Sequence, residues 1–426
     1  MTGGLGPLRA PAIPRSSVDH GRPEAKGGQV VCSPYLSGLS ATQARNPLHM
    51  TAPFRLERFD TLEELRSEWQ DLAIRSGNVF STWEWAATWW RHFGGGSLVL
   101  LGCRSPNGHL AAVVPLCLYS LGPLRILRFL GHGNADQLGP VCAPEDETAV
   151  AGTVNQQLRQ LVPGWDIFLA ERMGGSQDWA TLLEGPIVRD ESSPMIGLPS
   201  EGWEAFLASK SQNFRQQVRR KERGLLAQGL TYRLSDAGRL EEDLGSLFSL
   251  HDARWGTHRS LGFAANNREF HREFAALALN EGWVRLWLAE IGGRPVAAWY
   301  GFRFGGAEWY YQGGREPTWA DSSVGFVLMA HTIRTAIADG VHEYRLLLGA
   351  EPYKDRFANK EARVTTVARG HGLMGRTAVI SARAMTGTTL GRRTGRKVAS
   401  RLTNGMPPTA YSTKRTLRSS PDADGR

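Results

Sequence analysis

The chain has 426 residues, of which 41% are hydrophobic and 21% are charged. This balance supplies enough apolar side chains for a packed core and excludes a chain that is disordered throughout. No apolar stretch reaches the roughly 18–20 residues that a membrane-spanning helix needs, and the N-terminal thirty residues lack the apolar run of a secretory signal. The four cysteines show no paired metal-binding spacing, so we expect a protein of the reducing cytoplasm.

The net charge of +9 is concentrated at the carboxyl end. Residues 366–426 contain twelve Lys or Arg and two Asp or Glu, a net +10, which leaves −1 for the rest of the chain. We interpret residues 371–426 as a disordered basic tail, which either stays solvated or makes a weak contact with anionic lipid, polysaccharide or nucleic acid. Residues 1–50, with six Pro and seven Gly, are interpreted as a disordered leader, and Met50 is a candidate alternative start.

Hydrophobic periodicity predicts the same order of elements twice: a strand, two helices, three strands, a helix and a strand. In the first half the strands are predicted at 54–59, 98–103, 110–119, 124–130 and 165–170. The helices are predicted after Thr61, after Thr82 and at 146–161. In the second half the strands are predicted at 231–234, 284–291, 295–304, 307–312 and 344–348. The helices are predicted at 240–255, 268–279 and 322–338. We therefore predict a duplicated α/β (α+β) fold with tandem domains at 51–196 and 197–370, each a mixed, mostly antiparallel sheet flanked by helices.

A helix connects the last two strands of each predicted sheet, so these strands can lie side by side and parallel. Where such strands diverge they open a slot at the amino end of the helix, which suits an anionic ligand. In the second half this slot would be formed by residues 310–314 and by a helix capped by Asp321, where Ser322 and Ser323 present amides and hydroxyls. Gly325 would let a ligand approach the backbone. The alternative is an ordinary helix cap with a packing glycine.

The corresponding turn of the first half, residues 144–147, is acidic and contains no glycine, so it is expected to repel a phosphate. We therefore expect one working site, in the second half, with the first half structural or in contact with the substrate.

Further side chains could supply chemistry near the slot. Tyr353 is a candidate general acid toward a leaving thiolate and Lys354 a candidate cation; alternatively, Tyr353 caps the end of the sheet with its hydroxyl in water. His251 is a candidate general base because imidazole titrates near neutral pH. With Arg254 and Trp255 it forms a cluster that either lines a substrate site or is a half-buried helix end.

Arg215, Arg219 and Arg223 share one face of a predicted helix because they lie four residues apart. This face is either a solvated surface or a docking surface for an anionic substrate, such as an acidic sugar polymer, a nucleotide-linked donor or tRNA. The sequence contains no Gly-x-x-x-x-Gly-Lys phosphate loop, no Ser-His-Asp order with a strand-turn nucleophile and no His/Cys cluster, so NTPase, hydrolase and metal sites are not predicted.

These residues belong to a pattern that resembles the CelD-like branch of the GNAT acyltransferase superfamily, which is related to the Fem peptidyltransferases. The resemblance extends from Lys210 to Phe357. It rests on the motifs Asn213-Phe-Arg215, Arg219-Arg220, His251-x-x-Arg254-Trp255, Ala289-Glu-Ile-Gly-Gly-Arg-Pro-Val-Ala297, Tyr311-Gln-Gly313, Ser323-Val-Gly325 and Gly349-x-x-x-Tyr353-Lys354. The first half resembles this branch more loosely, through Phe80-Ser-Thr-Trp-Glu-Trp85 and Phe129-Leu-Gly131.

The resemblance implies two tandem domains that transfer an acyl group from a CoA thioester, here acetyl-CoA, to an amine or hydroxyl. It implies that the donor's pyrophosphate is bound by Ser322, Ser323, Val324 and Gly325. It also implies that the donor's pantetheine arm is bound by Tyr311, Gln312 and Gly313. The family's pyrophosphate loop, Gln/Arg-x-x-Gly-x-Gly/Ala, keeps only one glycine here, and Fem-type relatives use aminoacyl-tRNA instead of CoA.

We therefore expect a cytoplasmic acyltransferase that acetylates a cell-envelope or exopolysaccharide precursor, without a metal and without a stable nucleic-acid partner. The expected catalytic residues are His251, Tyr353 and Lys354, and the expected substrate-binding residues are Arg215, Arg219, Arg254 and Trp255. Two alternatives remain open: a Fem-like transferase that depends on aminoacyl-tRNA, and a non-catalytic protein that binds polysaccharide or scaffolds a synthase complex.

Overall fold

The computed structural model describes residues 54–175, 178–255, 265–349 and 351–387. The predicted leader and most of the predicted tail lie outside these ranges. The strands are β1 (Arg55–Phe59), β2 (Ser97–Arg104), β3 (Leu110–Leu121), β4 (Leu124–Phe129), β5 (Val141–Cys142), β6 (Ile167–Met173), β7 (Ile187–Ser192), β8 (Met195–Gly197), β9 (Leu230–Leu234), β10 (Val284–Ile291), β11 (Arg294–Phe304), β12 (Ala307–Arg315), β13 (Glu343–Arg345) and β14 (Arg363–Gly370). The helices are α1 (Arg66–Ser76), α2 (Trp83–Phe93), α3 (Glu147–Leu161), α4 (Trp179–Leu182), α5 (Trp203–Ala208), α6 (Gln212–Leu226), α7 (Leu240–Trp255), α8 (Ala265–Asn280), α9 (Val324–Ala338), α10 (Pro352–Phe357) and α11 (Gly372–Gly387).

The strands form two mixed sheets. The first has the order β1-β2-β3-β4-β6-β14-β7, with β5 beside β3, and the second has the order β8-β13-β12-β11-β10-β9. In each sheet a helix connects two parallel neighbours: α3 joins β4 to β6, and α9 joins β12 to β13. The predicted duplicated α/β fold, with two mixed sheets flanked by helices, is therefore confirmed.

An aromatic cluster joins the two halves into one core. Thr82 is the N-cap of α2, and its hydroxyl accepts a hydrogen bond from the Trp85 amide at 3.3 Å. The Trp85 ring then meets Phe270 and Phe274 of α8 edge to face, with centroids 5.0 and 4.7 Å apart. Such edge-to-face pairs add about 0.5–1.5 kcal/mol each to the stabilisation from burial. The second sheet is thereby held against the first half of the chain.

Two short segments cross between the halves and differ from the predicted arrangement. Strand β8 spans the predicted boundary between 196 and 197 and pairs with β13 of the second sheet. Strand β14 lies in the predicted second domain, but it pairs with β6 and β7 of the first sheet. The prediction of a disordered tail beginning at 371 is wrong for residues 372–387, which form α11. The buried face of this helix consists mainly of glycine and alanine, so its hydrophobic periodicity is weak.

In the first half of the chain, a buried ion pair connects the two parallel strands, β4 and β6. The Arg128 guanidinium on β4 donates two hydrogen bonds to the Glu171 carboxylate on β6. It also donates to the Tyr119 hydroxyl at 3.0 Å. Both charged side chains are almost completely buried. They bridge the strands next to Arg128, where the parallel pairing ends.

Candidate active site

The parallel strands of the second half diverge as predicted. Strand β13 pairs with β12 only along residues 307–309, whereas β12 continues to Arg315. A cavity of about 230 Å³ lies beside this unpaired part of β12. It is lined by Arg254, Ala298, Trp299, Tyr310, Gly313, Gly314, Arg315, Ala320, Ser323, Gly325, Phe326, Leu328, Met329 and Tyr353. The cavity thus joins the end of α7, strands β11 and β12, the start of α9 and helix α10.

Helix α9 begins at the cavity, slightly later than predicted. Its N-cap is Ser323, which has a left-handed backbone with φ of 60°, and not the predicted Asp321. The first amides of a helix have no acceptor within it, so the N–H groups of Val324 and Gly325 are available to an anion. A Cβ on Gly325 would meet only the Arg315 side chain, at an ordinary 3.6 Å. This position therefore has room for a larger side chain, and the fold does not require a glycine there.

Two guanidinium groups line the same cavity. Arg254 comes from the end of α7 and Arg315 from the end of β12. Burial, and then the neighbouring Arg254, lower the pKa of Arg315. A bound anion would relieve this repulsion between like charges. Arg254 was predicted from the sequence, whereas Arg315 was not, because the only sign of its role is its position at the strand end before the slot.

Two tyrosines meet on the wall of the cavity. The Tyr353 hydroxyl donates a hydrogen bond to the Tyr310 hydroxyl at 3.2 Å. Burial, and then Tyr310, raise the pKa of Tyr353, so this phenol stays protonated at neutral pH. Gly313 makes room for the pair, because a Cβ at this position would lie 2.7 Å from the Tyr310 hydroxyl. The sequence placed Tyr310 at the slot, within residues 310–314, but did not predict its hydrogen bond with Tyr353.

Lys354 does not line the cavity, although it neighbours Tyr353. Its ammonium group lies 3.1 Å from the Glu351 carboxylate and donates to the Leu348 carbonyl. The side chain is 5% exposed and lies 5.7 Å from the Tyr310 ring. This arrangement fixes the turn into α10 and places Tyr353 at the cavity.

His251 is buried beside β12 and does not line the cavity. Its backbone lies so close to β12 that a Cβ on Gly314 would come within 2.4 Å of the His251 nitrogen. Burial lowers the pKa of His251 to about 4, while Asp252 and a hydrogen bond with the Gln312 side chain oppose this shift. The imidazole is therefore neutral at pH 7, but it is a weaker base than a histidine whose pKa lies near the working pH.

The remaining predicted residues are dispersed around this site. Ser322 is half-buried in the turn before α9, whereas Val324 is buried in the core of the second half. The Tyr311 hydroxyl donates to the Asn134 carbonyl at 2.9 Å and so contacts the first half of the chain. The Trp255 ring lies 4.4 Å from the Arg254 guanidinium at an exposed helix end.

In the first turns of α6, the arginines of the predicted face either bond to nearby backbone or lie exposed to solvent. Arg215 donates to the carbonyls of Ala208 and Lys210, at 3.3 and 2.7 Å, and so completes the end of α5. Arg219 forms an exposed ion pair with Glu204 at 2.8 Å. Neither side chain lines the cavity.

Two buried histidines make stability depend on pH. Burial lowers the pKa of His251 to about 4 and that of His271 to about 3. An unfolded histidine titrates near 6.5, so between these values the unfolded state binds more protons. We expect the free energy of unfolding to fall as the pH drops below about 6.5, by about 1.4 kcal/mol per pH unit for each histidine. Urea titrations at pH 7, 6 and 5 measure this slope.

The control for this prediction is His251→Gln, because glutamine is polar but does not titrate. Its stability should decline less steeply from pH 7 to 5 than that of the wild type. Equal slopes for the two proteins would mean that His251 does not stay neutral in the folded state.

Comparison with known proteins identifies the segment that contains this cavity. Residues 212–355 match the family model of the acetyltransferase (GNAT) domain. This GNAT segment runs from α6 into α10 and supports acyl transfer as the general class of reaction. Among curated protein sequences, none matches the chain.

The chain was also compared with solved structures. The crystal structure of FemX is 10% identical and has a TM-score of 0.54, covering 72% of this chain and 96% of FemX. The C-terminal domain of a putative lysylphosphatidylglycerol synthetase from Agrobacterium fabrum is 13% identical, with a TM-score of 0.49 and coverage of 76% and 98%. A tandem GNAT protein from the clavulanic acid biosynthesis pathway is 10% identical, with a TM-score of 0.41 and coverage of 75% and 99%. The FemX similarity shows a shared fold that extends beyond the GNAT segment.

Within the described residues, no helix is long and apolar enough to cross a bilayer, and no group of three or more His, Cys, Asp or Glu side chains could hold a metal ion.

Proposed function

We propose that this chain transfers an acetyl group from acetyl-CoA to an amine or hydroxyl, with the donor in the cavity between β12 and α9. The observation that carries the proposal is the combination of a helix start, Gly325 and the guanidinium groups of Arg254 and Arg315 around one cavity. This arrangement suits the diphosphate of CoA, because backbone amides and arginines both bind phosphate oxygens.

The unpaired edge of β12 would hold the rest of the donor. Beyond Trp309, this strand has no parallel neighbour, so the backbone of Tyr311, Gln312 and Gly313 can contact a pantetheine arm. The Tyr311 side chain contributes instead to the contact with the first half. Ser322 and Ser323 would flank the diphosphate at the helix start.

The transfer would form a C–N or C–O bond to the acceptor as the C–S bond of the thioester breaks. Tyr353, whose raised pKa keeps it protonated, would turn its O–H from the Tyr310 oxygen toward the leaving thiolate and give it the proton. His251, neutral at pH 7, would take the acceptor's proton through a water molecule. Lys354 would support the reaction indirectly, by holding the turn that positions Tyr353.

The acceptor follows only from the resemblance to the CelD-like branch, which favours a cell-envelope or exopolysaccharide precursor in the cytoplasm. Trp255, exposed at the end of α7 beside Arg254, would contact it, with Arg215 and Arg219 farther away along α6.

A Fem-like transfer from aminoacyl-tRNA is the second candidate. Two observations favour it: the phosphate loop keeps a single glycine, and Arg219, Arg220 and Arg223 are exposed on α6. This helix is next to the site, since Lys221 donates to the Asp321 carbonyl just before α9. An exposed row of arginines suits a polyanion better than a small donor.

A donor-consumption assay separates these candidates. The protein is incubated with acetyl-CoA or with charged tRNA, each with a panel of amino sugars, amines and oligosaccharides. Acceptor-dependent release of the CoA thiol supports the proposal, whereas consumption of charged tRNA alone supports the second candidate. Consumption of neither donor would favour the non-catalytic scaffold.

A further inference from the structure

Helix α11 exposes large apolar side chains to solvent. Leu373, Met374 and Ile380 are 84%, 53% and 68% exposed, respectively. Side chains of this size are normally packed, and a cluster of them on one exposed face indicates an interaction surface.

The exposure does not result from a poorly docked helix. The opposite face of α11 is packed on the first sheet, where Val379 and Ala382 are buried. Gly375 allows an especially close approach, because a Cβ there would lie 2.0 Å from the Asp166 carbonyl oxygen. The helix is therefore held firmly, and its apolar outer face is fixed in position.

The outer face is cationic as well as apolar. Leu373, Arg376, Ile380 and Arg383 follow one another at spacings of three and four residues, which places them along one side of the helix. No acidic residue occurs in residues 366–387. The sequence then continues with nine basic and two acidic residues up to Arg426. We call the exposed residues Leu373, Met374, Arg376, Ile380 and Arg383 the α11 surface.

We propose that the α11 surface docks on an anionic lipid bilayer. Apolar side chains can enter the boundary between headgroups and acyl chains, while arginines bind lipid phosphates and extend along the interface. A second copy of the chain is a poor partner, because Arg376 and Arg383 would face arginines. A nucleic acid would engage the arginines but would leave Leu373 and Ile380 in water. This proposal is independent of acyl transfer.

Vesicle co-sedimentation of the full chain tests the proposal. Phosphatidylcholine vesicles are compared with vesicles that contain about 30% phosphatidylglycerol. We expect the wild type to bind the anionic vesicles in preference to the neutral ones. The double substitution L373S/I380S should weaken this binding at least about tenfold, because it removes two inserted apolar side chains. Both sites are exposed, so thermal melting should show an unchanged fold.

The matched control is Ile74→Ser, which removes an apolar side chain that is 55% exposed on α1. It should bind as the wild type does. The proposal is overturned if the wild type does not prefer anionic vesicles, or if L373S/I380S binds as tightly as the wild type. The latter result would assign binding to the charge of residues 388–426 alone.

Discussion

Replacing Gly325 with glutamate should abolish binding of acetyl-CoA, with a loss in affinity of at least about 100-fold. The new carboxylate would lie beside Arg315 at the start of α9, where it would occupy the position of the diphosphate and neutralise its partner. An acidic residue in the first turn of a helix also interacts favourably with the helix dipole. The protein should therefore remain folded, and calorimetric titration measures the lost affinity.

Gly325→Ala is the matched control for the glutamate substitution. Its methyl group would make only an ordinary 3.6 Å contact with Arg315, so donor binding should change little. The melting temperature should stay the same or rise, since alanine is a better helix former than glycine. Wild-type affinity in Gly325→Glu would place the donor elsewhere.

Replacing Arg128 with methionine should destabilise the protein by about 3–5 kcal/mol. The substitution leaves the Glu171 carboxylate buried between β4 and β6 without the guanidinium that donates two hydrogen bonds to it. Urea unfolding followed by circular dichroism measures the loss. For comparison, Arg363→Met removes an exposed pair with Asp190 and should cost less than about 1 kcal/mol.

The double substitution R128M/E171L tests the reason for this loss. With both charges gone, an apolar contact replaces the ion pair, and most of the stability should return. If R128M/E171L is as unstable as R128M, the loss comes from packing and not from an uncompensated charge.

The repeated fold could be predicted because each half alternates strand and helix periodicities that depend on local sequence. The diverging parallel strands also followed, since a crossover helix such as α9 makes its two flanking strands parallel. Strand β14 and helix α11 could not be assigned in this way. Their positions depend on contacts with β6 and β7, which are distant in sequence, and the buried face of α11 relies on small residues such as Gly375.

Part of the candidate site could also be predicted from the local sequence. Gly313, Ser323, Gly325, Arg254 and Tyr353 line one cavity, because their turns meet where the strands diverge. Arg315 was missed, since it belongs to no motif. Tyr310 was placed at the slot, but its hydrogen bond with Tyr353 was not predicted, because it depends on how α10 packs against β12. The direction in which a side chain points also depends on tertiary contacts.

The orientations of Lys354 and Tyr311 illustrate this limit of sequence reasoning. Lys354 faces Glu351 and the Leu348 carbonyl instead of the cavity. Tyr311 faces Asn134 of the first half. In both cases the partner that fixes the side chain comes from the folded arrangement.

Calorimetric titration of the wild-type chain with acetyl-CoA tests most directly whether the opening beside Arg315 holds a thioester donor. We expect saturable binding with one site per chain and a Kd between about 1 µM and 1 mM, the usual range of enzyme substrates. The absence of heat, together with an unchanged melting temperature at several millimolar acetyl-CoA, would contradict the assignment of this cavity to CoA.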